Sequence, residues 1–240
     1  MEDLSRTFGS QSVSAPERER KIRGVFQAVA ERYDLMNDLM SFGIHRLWKR
    51  RLARLCAPEA RQLVVDLAGG TGDVAALLAA ADRTVVVCDP SLAMMQRGRE
   101  RSLPGVVWIG GTGERIPLAS ESADAVTISF GIRNVTDMAA TLREILRVLK
   151  PGGRILCLEF SRPWAPVRPF YHLFSIAVIP RLGAWIARAP DAYWYLVESI
   201  RRFPVQEEMK ALIERTGYVD VDYLNLSFGI ACIHTGAKPR

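Results

Sequence analysis

Long apolar runs are missing from this 240-residue chain. The longest uncharged stretch, Tyr223 to Ala237, is short of the ~20 apolar residues that a membrane-spanning helix requires, and Pro169 to Pro180 is shorter still. The polar start, Met1 to Arg6, lacks the apolar centre of a secretory signal. Both shortages point to a cytoplasmic protein. Cysteine is scarce as well: Cys56, Cys88, Cys157 and Cys232 stand far apart, three of them inside apolar strand-like runs. That distribution excludes a CxxC metal site and a disulfide framework, and leaves reduced core thiols. Histidine is confined to His45, His172 and His234 without an HExxH spacing, so no metal is expected. No internal repeat is visible.

Positive charge is in modest excess, with 32 Lys and Arg against 26 Asp and Glu, a net charge of +6. Charge alone speaks to association rather than to chemistry. An anionic lipid surface is the expected partner, and nucleic acid is not.

The first sixteen residues are rich in Ser and charge and read as a flexible tail ahead of a single domain over 17–240. Apolar residues at helical spacing predict helices over Glu17–Tyr33 and Ile44–Cys56, the second with a basic outer face. The segment between them is too apolar for an exposed loop, so it is expected to line something. From Leu63 the pattern alternates strand and helix: a first strand that ends in Asp66, then strands at 84–88, 106–109, 124–130 and 154–160, with helices at 73–81, 91–102 and 137–149. Thr136 is the expected cap of the last of these helices, and Pro151-Gly152-Gly153 its stop. A helix over Val205–Thr216 and an antiparallel strand pair, Tyr218–Leu224 with Ile230–Thr235, close the chain. Between the fifth strand and that last helix lies an insertion, 163–204, crowded with aromatics, including Trp164, Trp185 and Trp194, and with interspersed arginines. Such apolar-plus-cationic character suits a membrane-surface element, although helices covering the sheet or a homodimer contact would look the same.

The chemistry begins at Leu63 to Asp73, an apolar run that ends in Asp66 and breaks into Gly69-Gly70-Thr71-Gly72. A glycine turn between a buried strand and a helix lets backbone amides approach a ligand without obstruction from a Cβ. The next apolar run ends in Asp89, where a doubly wound sheet places the acid that grips ribose hydroxyls. This spacing serves NAD as well as S-adenosylmethionine. Against NAD, Asp66 would repel a pyrophosphate but attract an amino-acid ammonium. In addition, no Tyr is followed by Lys at the fourth position, as a common dehydrogenase dyad requires. On the S-adenosylmethionine reading, Asp66, Gly70, Thr71 and Gly72 hold the methionine end and Asp89 accepts from the ribose. Thr112-Gly113 then lies at the adenine, with Ser129 near the reacting centre. Thr71 as a helix cap and Ser129 as a backbone partner are the structural alternatives.

Four blocks carry a resemblance: Tyr33 to Lys49, Asp66 to Asp73, Ile128 to Asp137 and Arg147 to Pro163. On them the chain resembles the ubiquinone/menaquinone biosynthesis C-methyltransferases over roughly Thr7 to Thr235. The resemblance implies a class I methyltransferase: α/β, Rossmann-like, with a mostly parallel seven-stranded sheet, a terminal antiparallel pair and a helical insertion after the fifth strand. It implies methyl transfer from S-adenosyl-L-methionine to a ring carbon of a polyprenylated benzoquinol or naphthoquinol, with no metal. It also places cofactor contacts at Thr71, Asp89, Thr112-Gly113 and Ser129. Thr112-Gly113 departs from the family, which usually has Asn or Asp followed by Ala there. Arg133 and Asn134, just beyond the fourth strand, are the expected catalytic pair. Arg133 would lower a phenol's pKa or bind an activating water, Asn134 would orient a ring oxygen, and Tyr33 would contact the ring or relay a proton. Arg133 as a structural ion-pair partner and Tyr33 as core packing are the alternatives. A prenyl tail would explain the aromatic insertion as a tail channel held peripherally at the membrane's inner face. Two rivals remain from other classes: an NAD-dependent oxidoreductase and a non-catalytic organiser of a quinone-synthesis complex.

Overall fold

A computed structural model describes residues 7–8, 11–29, 37–39, 41–177 and 190–240. Five strands rich in Val, Ile and Leu run parallel: β3 (Leu63–Leu67), β4 (Thr84–Asp89), β5 (Val106–Gly110), β6 (Ala123–Ser129) and β7 (Leu149–Phe160). Of two further strands, β9 (Ala231–Ala237) adds antiparallel to β7 and β8 (Val219–Leu226) antiparallel to β9, giving the order β5-β4-β3-β6-β7-β9-β8. Near-continuous apolar runs suit strands covered on both faces. The expected mostly parallel seven-stranded sheet with a terminal antiparallel pair is therefore observed.

One face is covered by α5 (Met138–Val148) and α8 (Gln206–Arg215), through Leu142, Ile145, Val148, Met209, Leu212 and Ile213. The opposite face carries α2 (Ile44–Cys56) and α3 (Asp73–Leu78), through Trp48, Leu52, Cys56, Val74 and Leu78. Each such aliphatic side chain contributes ~1.5–3 kcal/mol on burial. All four cysteines are free and buried. Burial pushes the Cys56 thiol up to about 11 and the Cys88 and Cys232 thiols to about 12, so they are inert.

Several boundaries move. The helix α3 is shorter than 73–81 because Ala79 turns extended, and α4 (Leu92–Arg99) is capped by the Ser91 side chain. Asp137, not Thr136, caps α5, its Oδ1 accepting from the Ala140 amide at 2.9 Å. The Thr136 amide is instead held by Glu114 Oε1 at 2.6 Å. Pro151-Gly152-Gly153 does not separate helix from strand. The β7 ladder starts at Leu149 opposite Ala123 and resumes at Arg154 opposite Ala125, and the irregularity absorbs the turn-like residues, with Gly152 at φ 77°.

At the N-terminus, β1 (Thr7–Phe8) pairs with β2 (Gln11–Ser12), so these residues are not a structureless tail, and α1 spans Ala15–Val29. The aromatic insertion contains α6 (Arg168–Ala177) and α7 (Pro190–Arg202). Tyr33 and Trp185 lie outside the described residues. No helix among the described residues is long and apolar enough to cross a membrane.

Candidate active site

The chain leaves β3 into β4 and β5 on one side, then returns to β6 and β7 on the other. Where the strand order reverses, the carboxyl ends part into a crevice, the usual ligand site of an open doubly wound sheet. A cavity lies there. Its wall includes Leu67, Gly70, Asp89, Met94, Thr112, Gly113, Ser129, Phe130 and Asn134, roofed by Glu19 and Ile22 of α1. The structure therefore brings Gly70, Asp89, Thr112, Gly113, Ser129 and Asn134 to one place.

Asp89 is held open towards this cavity by its own neighbours. Its Oδ2 accepts the Gly70 amide at 2.9 Å and its Oδ1 the Ser91 amide at 2.7 Å. Burial raises its pKa, while the two amides oppose that shift. A carboxylate has about four lone-pair sites, so capacity remains for two hydroxyl donors. Gly70 adopts φ 56°, a left-handed conformation that glycine reaches without strain. Ser129 Oγ is buried and has no partner among the described residues, so the alternative of a backbone-satisfied serine does not hold.

Asp66, Thr71 and Gly72 are off the cavity wall. Asp66 is 1% exposed and braces the turn from beneath, accepting from Thr127 Oγ1 at 3.0 Å and from the Ala75 amide at 3.1 Å. Burial pushes it up to about 7. A carboxylate so enclosed supports the loop, and it stands off the wall where the sequence reading puts it against an ammonium. Gly72 turns its Cα towards Trp108, and a Cβ there would stand 2.6 Å from the ring. It is also the N-cap of α3, which displaces the reading of Thr71 as that cap. Asp73 follows, fixed by Lys49 and Arg101 at 2.8 Å each and held at about 2 by these two cations.

Past β6, a single 3-10 turn, Ile132–Asn134, carries the expected catalytic pair. Asn134 faces the cavity, its Oδ1 accepting from Tyr195 OH at 3.0 Å. Arg133 does not line the cavity; it is buried and paired, Nη1 donating to Glu159 Oε1 at 2.6 Å and to the Phe130 carbonyl at 2.8 Å. The structural ion pair weighed from sequence is thus present. Arg18 of α1 was overlooked: its guanidinium donates to the carbonyls of Arg133, Asn134 and Val135 at 3.1, 3.3 and 2.7 Å, fastening the helix over the turn. Glu159 was overlooked too, although it ends an apolar strand as Asp66 and Asp89 do.

Comparison with known proteins decides the family. Residues 15–238 match the ubiE/COQ5 methyltransferase family. The chain belongs to that family. The ubiquinone/menaquinone biosynthesis C-methyltransferase UbiE of Rubrivivax gelatinosus is 64% identical over 235 residues, covering 98% of this chain and 94% of that one. The chicken mitochondrial 2-methoxy-6-polyprenyl-1,4-benzoquinol methylase is 43% identical, over 96% of this chain and 88% of its own. Among solved structures, a Thermotoga maritima SAM-dependent methyltransferase superposes with TM-score 0.67 at 22% identity, covering 90% of this chain and 99% of that one. A ubiE/COQ5 member is a methyltransferase, and its co-substrate is S-adenosyl-L-methionine. The cavity suits that molecule: an acid with spare acceptors, an unfilled serine hydroxyl, and apolar walls from Ile22, Met94 and Val135.

Proposed function

We propose that this chain transfers a methyl group from S-adenosyl-L-methionine to a ring carbon of a polyprenylated quinol in ubiquinone or menaquinone synthesis. The observation that supports this most is the 64% identity to a C-methyltransferase of that name across nearly the whole chain. S-adenosyl-L-methionine supplies an electrophilic methyl group when bound. The protein's task is to position and polarise an electron-rich ring beside it. Asp89, Gly70, Thr112, Gly113 and Ser129 hold the donor. Asn134 orients a ring oxygen at the cavity wall, and the Arg133 guanidinium favours a phenolate next to it. Asp66 supports the turn from behind. Quinone analysis of cells lacking the protein tests the substrate: a demethylated quinone should accumulate, and unchanged quinone content would refute the reading.

A peripheral membrane contact belongs to the same reading. Phe42, Leu47, Phe170 and Leu173 are exposed, and Phe42 stacks on Phe174 at 5.7 Å, joining the approach to α2 with α6. Exposed Arg46, Arg50, Arg51, Arg54 and Arg168 edge these elements. Apolar and cationic groups together suit an anionic lipid surface, from which a long prenyl tail would be drawn. The same face would serve a homodimer. Vesicle flotation with 20% anionic lipid should show binding that Phe42→Ser with Phe170→Ser removes. Undiminished flotation of that variant would exclude the contact.

A further inference from the structure

Three strands of the parallel sheet carry an acid at their carboxyl end: Asp89 as the last residue of β4, and Asp66 and Glu159 as the last but one of β3 and β7. Asp66 supports the turn and Asp89 faces the cavity. Glu159 is 1% exposed, and only one of its oxygens is employed: Oε1 accepts from Arg133 Nη1 at 2.6 Å and from the Phe160 amide at 2.9 Å. The other, Oε2, is buried without a partner among the described residues, and so is Arg133 Nε. A buried ion pair does not offset its desolvation by Coulomb attraction alone. Each unsatisfied polar atom costs a further ~1–3 kcal/mol. The pair therefore holds one unfilled acceptor and one unfilled donor.

Its surroundings are aromatic. The Arg133 guanidinium stands 5.5 Å from the centre of the Phe160 ring, Phe130 packs on Phe160 at 4.7 Å, and Trp48 lies 6.2 Å from both. Phe130 and Asn134, the residues flanking this cluster on the turn, belong to the cavity wall. Neither Arg133 nor Glu159 is on that wall itself; the unfilled pair adjoins it through Phe130 and Asn134, among rings that suit a flat aromatic substrate.

A group that both donates and accepts one hydrogen bond would complete both atoms. A ring hydroxyl does so. A ring carbonyl has only lone pairs, and presents them to a carboxylate that cannot donate. We propose that Glu159 reads the reduction state of the ring: Oε2 accepts the hydrogen bond of a quinol hydroxyl whose oxygen accepts from Arg133 Nε, and the quinone is refused. This rests on the quinol reading above and adds to it the residue that separates the reduced from the oxidised ring. Sites built to bind a substrate hydroxyl reject analogues lacking it by several orders of magnitude.

The test is steady-state methylation of a short-tail demethylquinol in anaerobic buffer, with the corresponding quinone as inhibitor. The wild-type enzyme should be insensitive to quinone at about a hundred times the quinol KM. In Glu159→Gln the amide can donate to a carbonyl, so the quinol KM should rise about tenfold and the quinone should inhibit near that KM. Affinity for S-adenosylhomocysteine should be unchanged, which checks the fold. Inhibition of the wild-type enzyme by quinone near the quinol KM overturns the proposal, whether or not Glu159→Gln folds. A folded Glu159→Gln enzyme with unaltered discrimination overturns it too. Absence of any quinol methylation by the wild-type enzyme overturns the functional reading along with it, whereas methylation without discrimination defeats this inference alone.

Discussion

The Gly70 amide donates to Asp89 Oδ2 at 2.9 Å, tying the turn after β3 to the acid at the end of β4. The contact fixes the carboxylate's direction while leaving lone pairs for a ligand. Asp89→Asn should retain an acceptor for this amide but lose the charge that strengthens hydrogen bonds to ribose. Hydrogen bonds to charged groups contribute ~1.5–3 kcal/mol, so calorimetric affinity for S-adenosylhomocysteine should fall roughly ten- to a hundredfold. A variant that binds as tightly as the wild type would remove Asp89 from the site.

Asp66 gives a prediction in pH. Its carboxyl titrates at about 7 in the folded chain against 3.8 for the free group, because burial disfavours the charge. The folded state therefore binds this proton more tightly than the unfolded state. The associated stability is fully present below about pH 4 and is lost as pH rises through about 7. Asp66→Asn keeps an uncharged side chain at every pH. Urea unfolding at pH 5 and pH 8 should show the variant gaining on the wild type at the higher pH, by an amount on the order of 3 kcal/mol. An equal gap at both values would contradict the assignment.

Arg18 is the fastening of α1 to the turn at Ile132–Asn134 through the carbonyls of Arg133, Asn134 and Val135. Arg18→Ala should loosen both partners. Hydrogen exchange at residues 132–135 should accelerate, and kcat should fall by about tenfold as Asn134 loses its fixed place, the loss being ~1.5–3 kcal/mol of charge-assisted bonding. Unaltered exchange there would mean that the turn holds itself.

Gly113 stands where the family resemblance implies an alanine, and the structure has no room for one. A Cβ at this position would stand 2.8 Å from Thr141 Oγ1 and 3.0 Å from Val135 Cγ1. Gly113→Ala should cost ~1–3 kcal/mol through overpacking, and Thr141→Ala should relieve much of that in the double variant. Additive losses in chemical denaturation would sink the explanation.

The sheet and its helices were legible because buried parallel strands leave unbroken Val, Ile and Leu runs that end in glycine turns. The place of Asp89 on the cavity wall was legible from spacing, and that of Ser129 from its position on the fourth strand. The placement of Asp66 was not, since a strand-ending acid looks alike whether it faces a ligand or, as here, Thr127 and the Ala75 amide. Arg18 lay hidden for a related reason: its partners are carbonyls 115 to 117 residues away, and backbone acceptors leave no mark on the sequence. Glu159 had a visible signal, the same acid at the end of an apolar run, but its meaning depended on Arg133 being turned towards it.

The most direct measurement is transfer of labelled methyl from S-adenosyl-L-methionine to a short-tail demethylquinol by the purified protein, with Asn134→Ala and Asp89→Ala alongside. Label should appear on a ring carbon, with both variants reduced at least tenfold and Asn134→Ala keeping wild-type affinity for S-adenosylhomocysteine. Cofactor binding without any label in the quinol would contradict the account.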